Sequence, residues 1–160
     1  MNRPNLPTAR DVMTRKLIVF QPEMSAHEAA AVLVKNGISG APVADKDGTL
    51  LGVLSEFDCL RAVASGQYLP DGHAGEHTVG EIMTDAPLTI SPEMDLYAVA
   101  HEFVTRRVRR LPVLENGKLV GQVSRRDLFR ALHDYQDKLL RRESYPDYPT
   151  GREPISDYPE

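Results

Sequence analysis

The sequence predicts an α/β protein of the α+β type, in which one strand-helix-strand-strand-helix unit is written twice and packed about a pseudo-twofold axis. Two observations carry that expectation. The first is self-similarity at a fixed offset. Val12-Met13-Thr14 returns as Ile82-Met83-Thr84, Pro22-Glu23-Met24 as Pro92-Glu93-Met94, and Ala41-Pro42-Val43 as Leu111-Pro112-Val113, each 70 positions later. After one deletion, Gly52, Ser55 and Asp58 return as Gly121, Ser124 and Asp127. A single match could be an accident, whereas an ordered series is a duplication. The second observation is a pair of hairpin signals, Asp47-Gly48 and Asn116-Gly117, each flanked by apolar runs of strand length. These dipeptides readily supply the positive φ of a tight turn.

The elements follow in order. Each copy opens on a short strand, Leu17 to Phe20 or Leu88 to Ile90, that runs towards proline. A helix then starts at Ser25, where Ser-x-x-Glu28 has the form of a capping box, or at Asp95, another favourable N-cap. Apolar residues at Ala26, Ala30 and Leu33, and at Leu96, Val99, Ala100 and Phe103, recur at helical spacing. Gly37 stops the first of these helices. Its counterpart is Arg107, so the second must end differently or strain an arginine. Strands around Ala41 to Ala44 and Leu50 to Leu54, then Leu111 to Leu114 and Lys118 to Val123, lead into closing helices at Ser55 and Ser124. A unit of roughly 55 residues has little core of its own, so the two should pack face to face.

The expected organisation is an N-terminal lead over 1–9, repeat one over 10–64, a linker over 65–79, repeat two over 80–135, and a helix end with a Tyr/Pro-rich tail over 136–160. The 160 residues suffice for one domain, or for two small halves sharing a core. The single cysteine, Cys59, excludes an internal disulfide and reads as a buried, inert thiol. No apolar run approaches the ~20 residues of a membrane span, and MNRPNLPTAR lacks a signal-peptide pattern. The expectation is a cytoplasmic globular protein with no membrane partner.

A net charge of −4 argues against nucleic acid as the main partner. Arginines nevertheless cluster at 106, 107, 109 and 110 and again at 125 and 126, a local basic patch that suits a small anion. His73 and His77 are four apart, but Gly75 between them speaks against a helix, and without HExxH no zinc site is expected. No nucleophile elbow, Walker loop or GxGxxG occurs, and Ser55 and Ser124 have no identifiable base. An enzyme is not expected.

The duplicated Ser-x-x-Asp has two readings. As structure, it is a capping box with the acid at the dipole-favoured end of the helix. As a binding motif, the same helix N-terminus suits phosphate. The serine hydroxyl can add a donor, and an ionised aspartate can accept from the two adjacent hydroxyls of a ribose. Glycine three residues before the serine would leave room for a ligand.

The Met-Thr leads (Met13-Thr14, Met83-Thr84), the Pro-Val strands (Pro42-Val43, Pro112-Val113) and the two Gly-x-x-Ser-x-x-Asp closes together resemble a pair of CBS repeats, the Bateman module, over about residues 10–135. The resemblance implies a regulatory binding module for adenosine compounds such as AMP, ADP, ATP or S-adenosylmethionine, held in two clefts between the repeats. Carried over by position, one cleft has Ser124 and Asp127 facing Thr14, Ile38, Ser39 and Gly40. The other has Ser55 and Asp58 facing Thr84, Val108, Arg109 and Arg110, with aspartate on ribose and serine near phosphate. Arg109, Arg110 and Arg126 add guanidinium forks suited to phosphate. The resemblance further implies a homodimer, and a separate regulated protein that the sequence does not identify. The rival expectation is an interaction scaffold with vestigial pockets, where Ser-x-x-Asp only caps; an enzyme hydrolysing the nucleotide is a third.

Overall fold

Two antiparallel hairpins organise the chain, here described from a computed structural model over residues 5–65 and 77–143. The expected linker falls largely in residues 66–76 and the Tyr/Pro-rich tail in 144–160, both outside the described residues. The first half contains α1 (Ala9–Val12), α2 (Ala26–Asn36), β1 (Gly40–Ala44), β2 (Leu50–Ser55) and α3 (Glu56–Ala64). The second contains α4 (Val79–Ile82), β3 (Thr84–Asp85), α5 (Leu96–Arg106), β4 (Arg110–Glu115), β5 (Lys118–Ser124) and α6 (Arg125–Glu143).

The hairpin turns differ by one residue, which accounts for the deletion between the copies. Asn116 and Gly117 both take positive φ, 50° and 76°, within the two-residue turn between Glu115 and Lys118. In the first copy only Gly48 does, at 80°, and Asp45 pairs with Thr49 across a three-residue loop. The Gly48 N–H donates back to Asp45 O, and the left-handed glycine closes the loop. Asp45 Oδ1 accepts from the backbone N–H groups of Thr49 and Asp47, and the Thr49 bond above all holds its carboxyl below the ordinary aspartate pKa.

The strands expected at Leu17–Phe20 and Leu88–Ile90 do not form. Each is reduced to one parallel bridge, Phe20 to Val43 and Ile90 to Val113. Phe20 N–H donates to Pro42 O, and Phe20 O accepts from Ala44 N–H. The next donor in such a ladder would be the nitrogen of Pro42, or of Pro112 in the other copy, and proline has no N–H. Pairing stops there.

Helix ends follow local chemistry with two exceptions, Ser25 and Arg107. Asp95 Oδ1 accepts from the N–H groups of Tyr97 and Ala98, both at 2.9 Å. Ser25 occupies the N-cap of α2 but makes no side-chain cap bond, so the expected Ser25–Glu28 box is absent. Gly37 closes α2 in the left-handed region at φ 60°. Arg107 does the same for α5 at φ 54°, which costs a residue with a Cβ about 1–2 kcal/mol.

The halves exchange their lead-in helices. α1 brings Ala9 and Met13 into a core built otherwise from the second half, including Leu96, Val99, Phe103, Leu111 and Val123. Reciprocally, α4 brings Val79 and Ile82 into the core of Phe20, Leu33, Val43 and Leu54. Two separate clusters result, in place of one shared core. The repeated Pro-Glu-Met turns seat these helices. Pro92 O and Met94 O accept the N–H groups of Arg10 and Ala9, and Pro22 O and Met24 O accept those of Gly80 and Val79. A four-residue helix has no internal partners for its first N–H groups, so docking on the other repeat supplies them. Arg10 also bridges Glu93 and Glu115.

The glycines repeated between the two copies serve this exchange. A Cβ on Gly52 would lie 2.7 Å from both Met83 Sδ and Thr84 O, and one on Gly121 would lie 2.6 Å from Met13 Sδ. The glycines expected to leave room for a ligand therefore leave room for the other repeat's Met-Thr lead.

Candidate functional site

Thr84 is carried by β3 onto the edge of β2, opposite Val53, and this placement creates the site. Ser55 ends β2 and caps α3, so its side chain, the Asp58 carboxylate and Thr84 converge at one seam between the repeats. A cavity of about 700 Å³ opens there, lined by Ser55, Asp58, Thr84, Val108, Arg109 and Arg110 among others. These are the residues expected in the second cleft, and the fold brings all of them together. The apolar wall comes from Val53, Leu88 and Pro112.

Asp58 is only 2% exposed and its carboxylate is fully engaged. Oδ2 accepts from the N–H and hydroxyl of Ser55 at 2.8 and 2.6 Å. Oδ1 accepts from the Thr84 hydroxyl at 2.8 Å and Arg61 Nη2 at 3.2 Å. A carboxylate has about four acceptor positions, and here all are filled. The capping box is complete, since Asp58 N–H donates to Ser55 Oγ. Arg61 Nη2 also donates to Ile82 O at the end of α4, tying the aspartate of one repeat to the lead-in helix of the other.

Arg110 crosses the seam, donating to Gly40 O and Ser39 Oγ. Burial, and then the neighbouring Arg109 charge, lower its pKa from the ordinary guanidinium value; it stays charged, as arginine does in proteins. Glu56 lines the same cavity, so the basic rim carries one acid.

Clefts of this kind, with exchanged Met-Thr leads and paired Ser-x-x-Asp closes, fit one family model. The model described as CBS domain matches residues 9–65 and 79–134. The chain belongs to the CBS domain family. It is 32% identical to the CBS domain-containing protein CBSX1, chloroplastic, of Arabidopsis thaliana, over 81% of this chain; it spans 65% of that relative's length. The crystal structure of CBSX2, from the same plant, in complex with AMP is 34% identical, with a TM-score of 0.72, over 81% of this chain and 98% of that one. The CBS domain pair of MJ0100, in complex with 5'-methylthioadenosine and S-adenosyl-L-methionine, is 25% identical with a TM-score of 0.69, over 81% of this chain and 98% of that one.

The Asp127 side of the seam is assembled differently. Thr14 pairs with Gln122 on β5 through two backbone bonds of 2.9 and 3.0 Å, the equivalent of Thr84 on β2. Ser124 and Asp127 repeat the capping box, with the Ser124 hydroxyl donating to Asp127 Oδ2 at 2.6 Å. Asp127 is half-buried, and among the described residues its Oδ1 has no hydrogen-bond partner. The counterpart of Arg61 is Arg130, which is exposed. Ser39, expected opposite Asp127, lines the Asp58 cavity instead, because β1 pairs with β2 and Ser39 O accepts from Glu56 N–H. Ile38 packs on the first core, and Gly40 meets Arg110 through its carbonyl.

Arg126 departs from its expected place. It lies with Arg107 and Arg125 along a groove between α5 and α6 that also contains Phe103 and Phe129. One helical step separates it from Asp127, so it points elsewhere when Asp127 turns back to its cap. Sequence reasoning missed Arg61 and Gln122. Arg61 lies three residues after Asp58, on the same helical face. Gln122 stands where the first copy has valine. Burial pushes the Cys59 thiol's pKa up. Among the described residues, no cluster of three or more His, Cys, Asp or Glu could hold a metal ion, and no helix is long and apolar enough to cross a membrane.

Proposed function

We propose that this chain is a ligand-sensing regulatory module, holding an adenosine nucleotide (AMP, ADP or ATP) in the clefts between its CBS repeats and passing its state to a separate protein. The observation that carries this is the seam cavity joining a buried aspartate and serine to two arginines and an apolar wall. Sugar, phosphate and base each find a matching surface there. CBSX2 with AMP in its crystals supports the same chemistry. MJ0100 holds S-adenosylmethionine, but a positive sulfonium is disfavoured beside Arg109 and Arg110.

The filled carboxylate suggests how state is transmitted. A ribose diol needs two acceptor positions on Asp58, and Oδ1 can release both of its donors. The Thr84 hydroxyl rotates, and the Arg61 side chain is 54% exposed. Releasing Arg61 also frees Ile82 O at the end of α4. A nucleotide that binds the rearranged form better shifts the population towards it by that differential affinity. The module binds and releases its ligand unchanged.

Calorimetric titration with adenosine, AMP, ADP and ATP tests this. At least one phosphorylated form should bind about tenfold or more tightly than adenosine, the worth of one or two charge-assisted bonds to phosphate. Equal affinity would overturn the phosphate role of the arginines. No heat with any ligand would favour the scaffold, and product formation an enzyme.

The partner includes a second copy of the chain. Val34, Leu60 and Val63 on α2 and α3, and Val104 and Phe129 on α5 and α6, are large apolar side chains more than half exposed. Such stripes on both helix pairs fit a homodimer. Sedimentation equilibrium should give twice the chain mass, and Phe129→Asp with Leu60→Asp should reduce it to one; a monomeric parent chain would refute the dimer.

A further inference from the structure

Gly121 and Val123 face the second core, the glycine beneath Met13 and the valine fully buried. Strand alternation turns Gln122 to the opposite face, together with Ser124. Sixty-nine positions earlier the same place is held by Val53, which lines the Asp58 cavity beside Ser55. The pairings match: Val53 sits opposite Pro42 and Thr84, and Gln122 opposite Pro112 and Thr14. By this correspondence Gln122 stands beside Ser124 as Val53 stands beside Ser55. Its Oε1 is buried without a hydrogen-bond partner among the described residues, the one such side-chain atom found there.

A buried acceptor left unpaired is costly to the fold. The other repeat shows that valine suits this backbone position. A carboxamide here gains when something brings it a donor. Around Asp127 the crossing arginine bonds of the other repeat are absent among the described residues and Oδ1 has no partner there, so an occupant of the seam would meet Asp127 and, behind it, this amide. A glutamine amide can bond bidentately to the amino-bearing edge of adenine, accepting from the exocyclic amine and donating to a ring nitrogen.

We propose that Gln122 is a specificity-determining residue, reading the amino-bearing edge of a purine base in the Asp127 cleft, and that it makes this cleft the base-selective one of the pair. This rests on the nucleotide reading above. The Asp58 cleft, walled by Val53, takes the base by apolar contact and selects by phosphate.

The test uses the full chain, titrated calorimetrically with AMP and with purine riboside 5'-monophosphate, which lacks the exocyclic amine. The wild type should prefer AMP at one class of site by about tenfold, the worth of a good bidentate contact. Gln122→Val should remove most of that preference, leave the other class unchanged, and keep or raise the melting temperature. Gln122→Met, closer in volume, provides the same readout should the valine variant fold poorly. A preference for AMP that survives either folded variant, or none in the wild type, overturns the Gln122 assignment alone. Absence of any nucleotide binding to the wild type overturns both readings, and the two failures are therefore distinguishable.

Discussion

Asp58→Ala is expected to abolish one nucleotide-binding event and to destabilise the fold by about 2–3 kcal/mol, measured by denaturant unfolding. The carboxylate is 2% exposed and receives four donors. Deleting it strands the Ser55 N–H and removes the anchor that holds Thr84 and Arg61 across the seam. Arg61 is half exposed and regains water, which keeps the loss below that of a fully buried ion pair. Asp127→Ala should cost only about 1 kcal/mol, the worth of an N-cap contact, while also removing one binding event. Titration well below the melting temperature separates the two effects. Equal destabilisation by the two variants would show that the cross-repeat bonds of Asp58 contribute nothing.

Gly52→Ala is expected to destabilise by about 2–3 kcal/mol through overpacking. The added methyl would meet Thr84 O at 2.7 Å, and that oxygen cannot move without loosening the pairing of β3 with β2. Met83 Sδ, at the same distance, can swing aside. Gly121→Ala meets Met13 Sδ at 2.6 Å but its nearest backbone atom, Thr14 O, at 3.1 Å. It should therefore cost less, and thermal melts of the two variants should rank them in that order. The reverse order would mean that the methionine side chains, rather than the backbone, set the tolerance.

Much of this architecture could be read from the chain because its signals are local. Asn116-Gly117 specifies a turn by its own dihedrals, Asp95 caps by reaching two and three residues ahead, and the Ser-x-x-Asp boxes close within one helical turn. What depends on the other repeat was harder to read. The helices α1 and α4 are four residues long and show no periodicity. Their one local mark is Thr8-x-x-Asp11 and Thr78-x-x-Glu81, the same capping pattern noted at Ser55. The missing strand at Leu17–Phe20 follows from Pro42, whose lacking donor matters only once the two segments are known to be neighbours. At the site, the members of the Asp58 cleft were legible by position, but the engagement of its carboxylate was not. It depends on Arg61, outside the repeated motif, and on Thr84, 26 residues away.

The reciprocal loan of α1 and α4 bears on how such a molecule could arise. A single repeat carries both a helix to lend and a hollow to receive one, so two identical copies could satisfy each other completely. The present chain has the form of such a pair made covalent. Once joined, the two copies were free to diverge, and valine in one and glutamine in the other record that freedom.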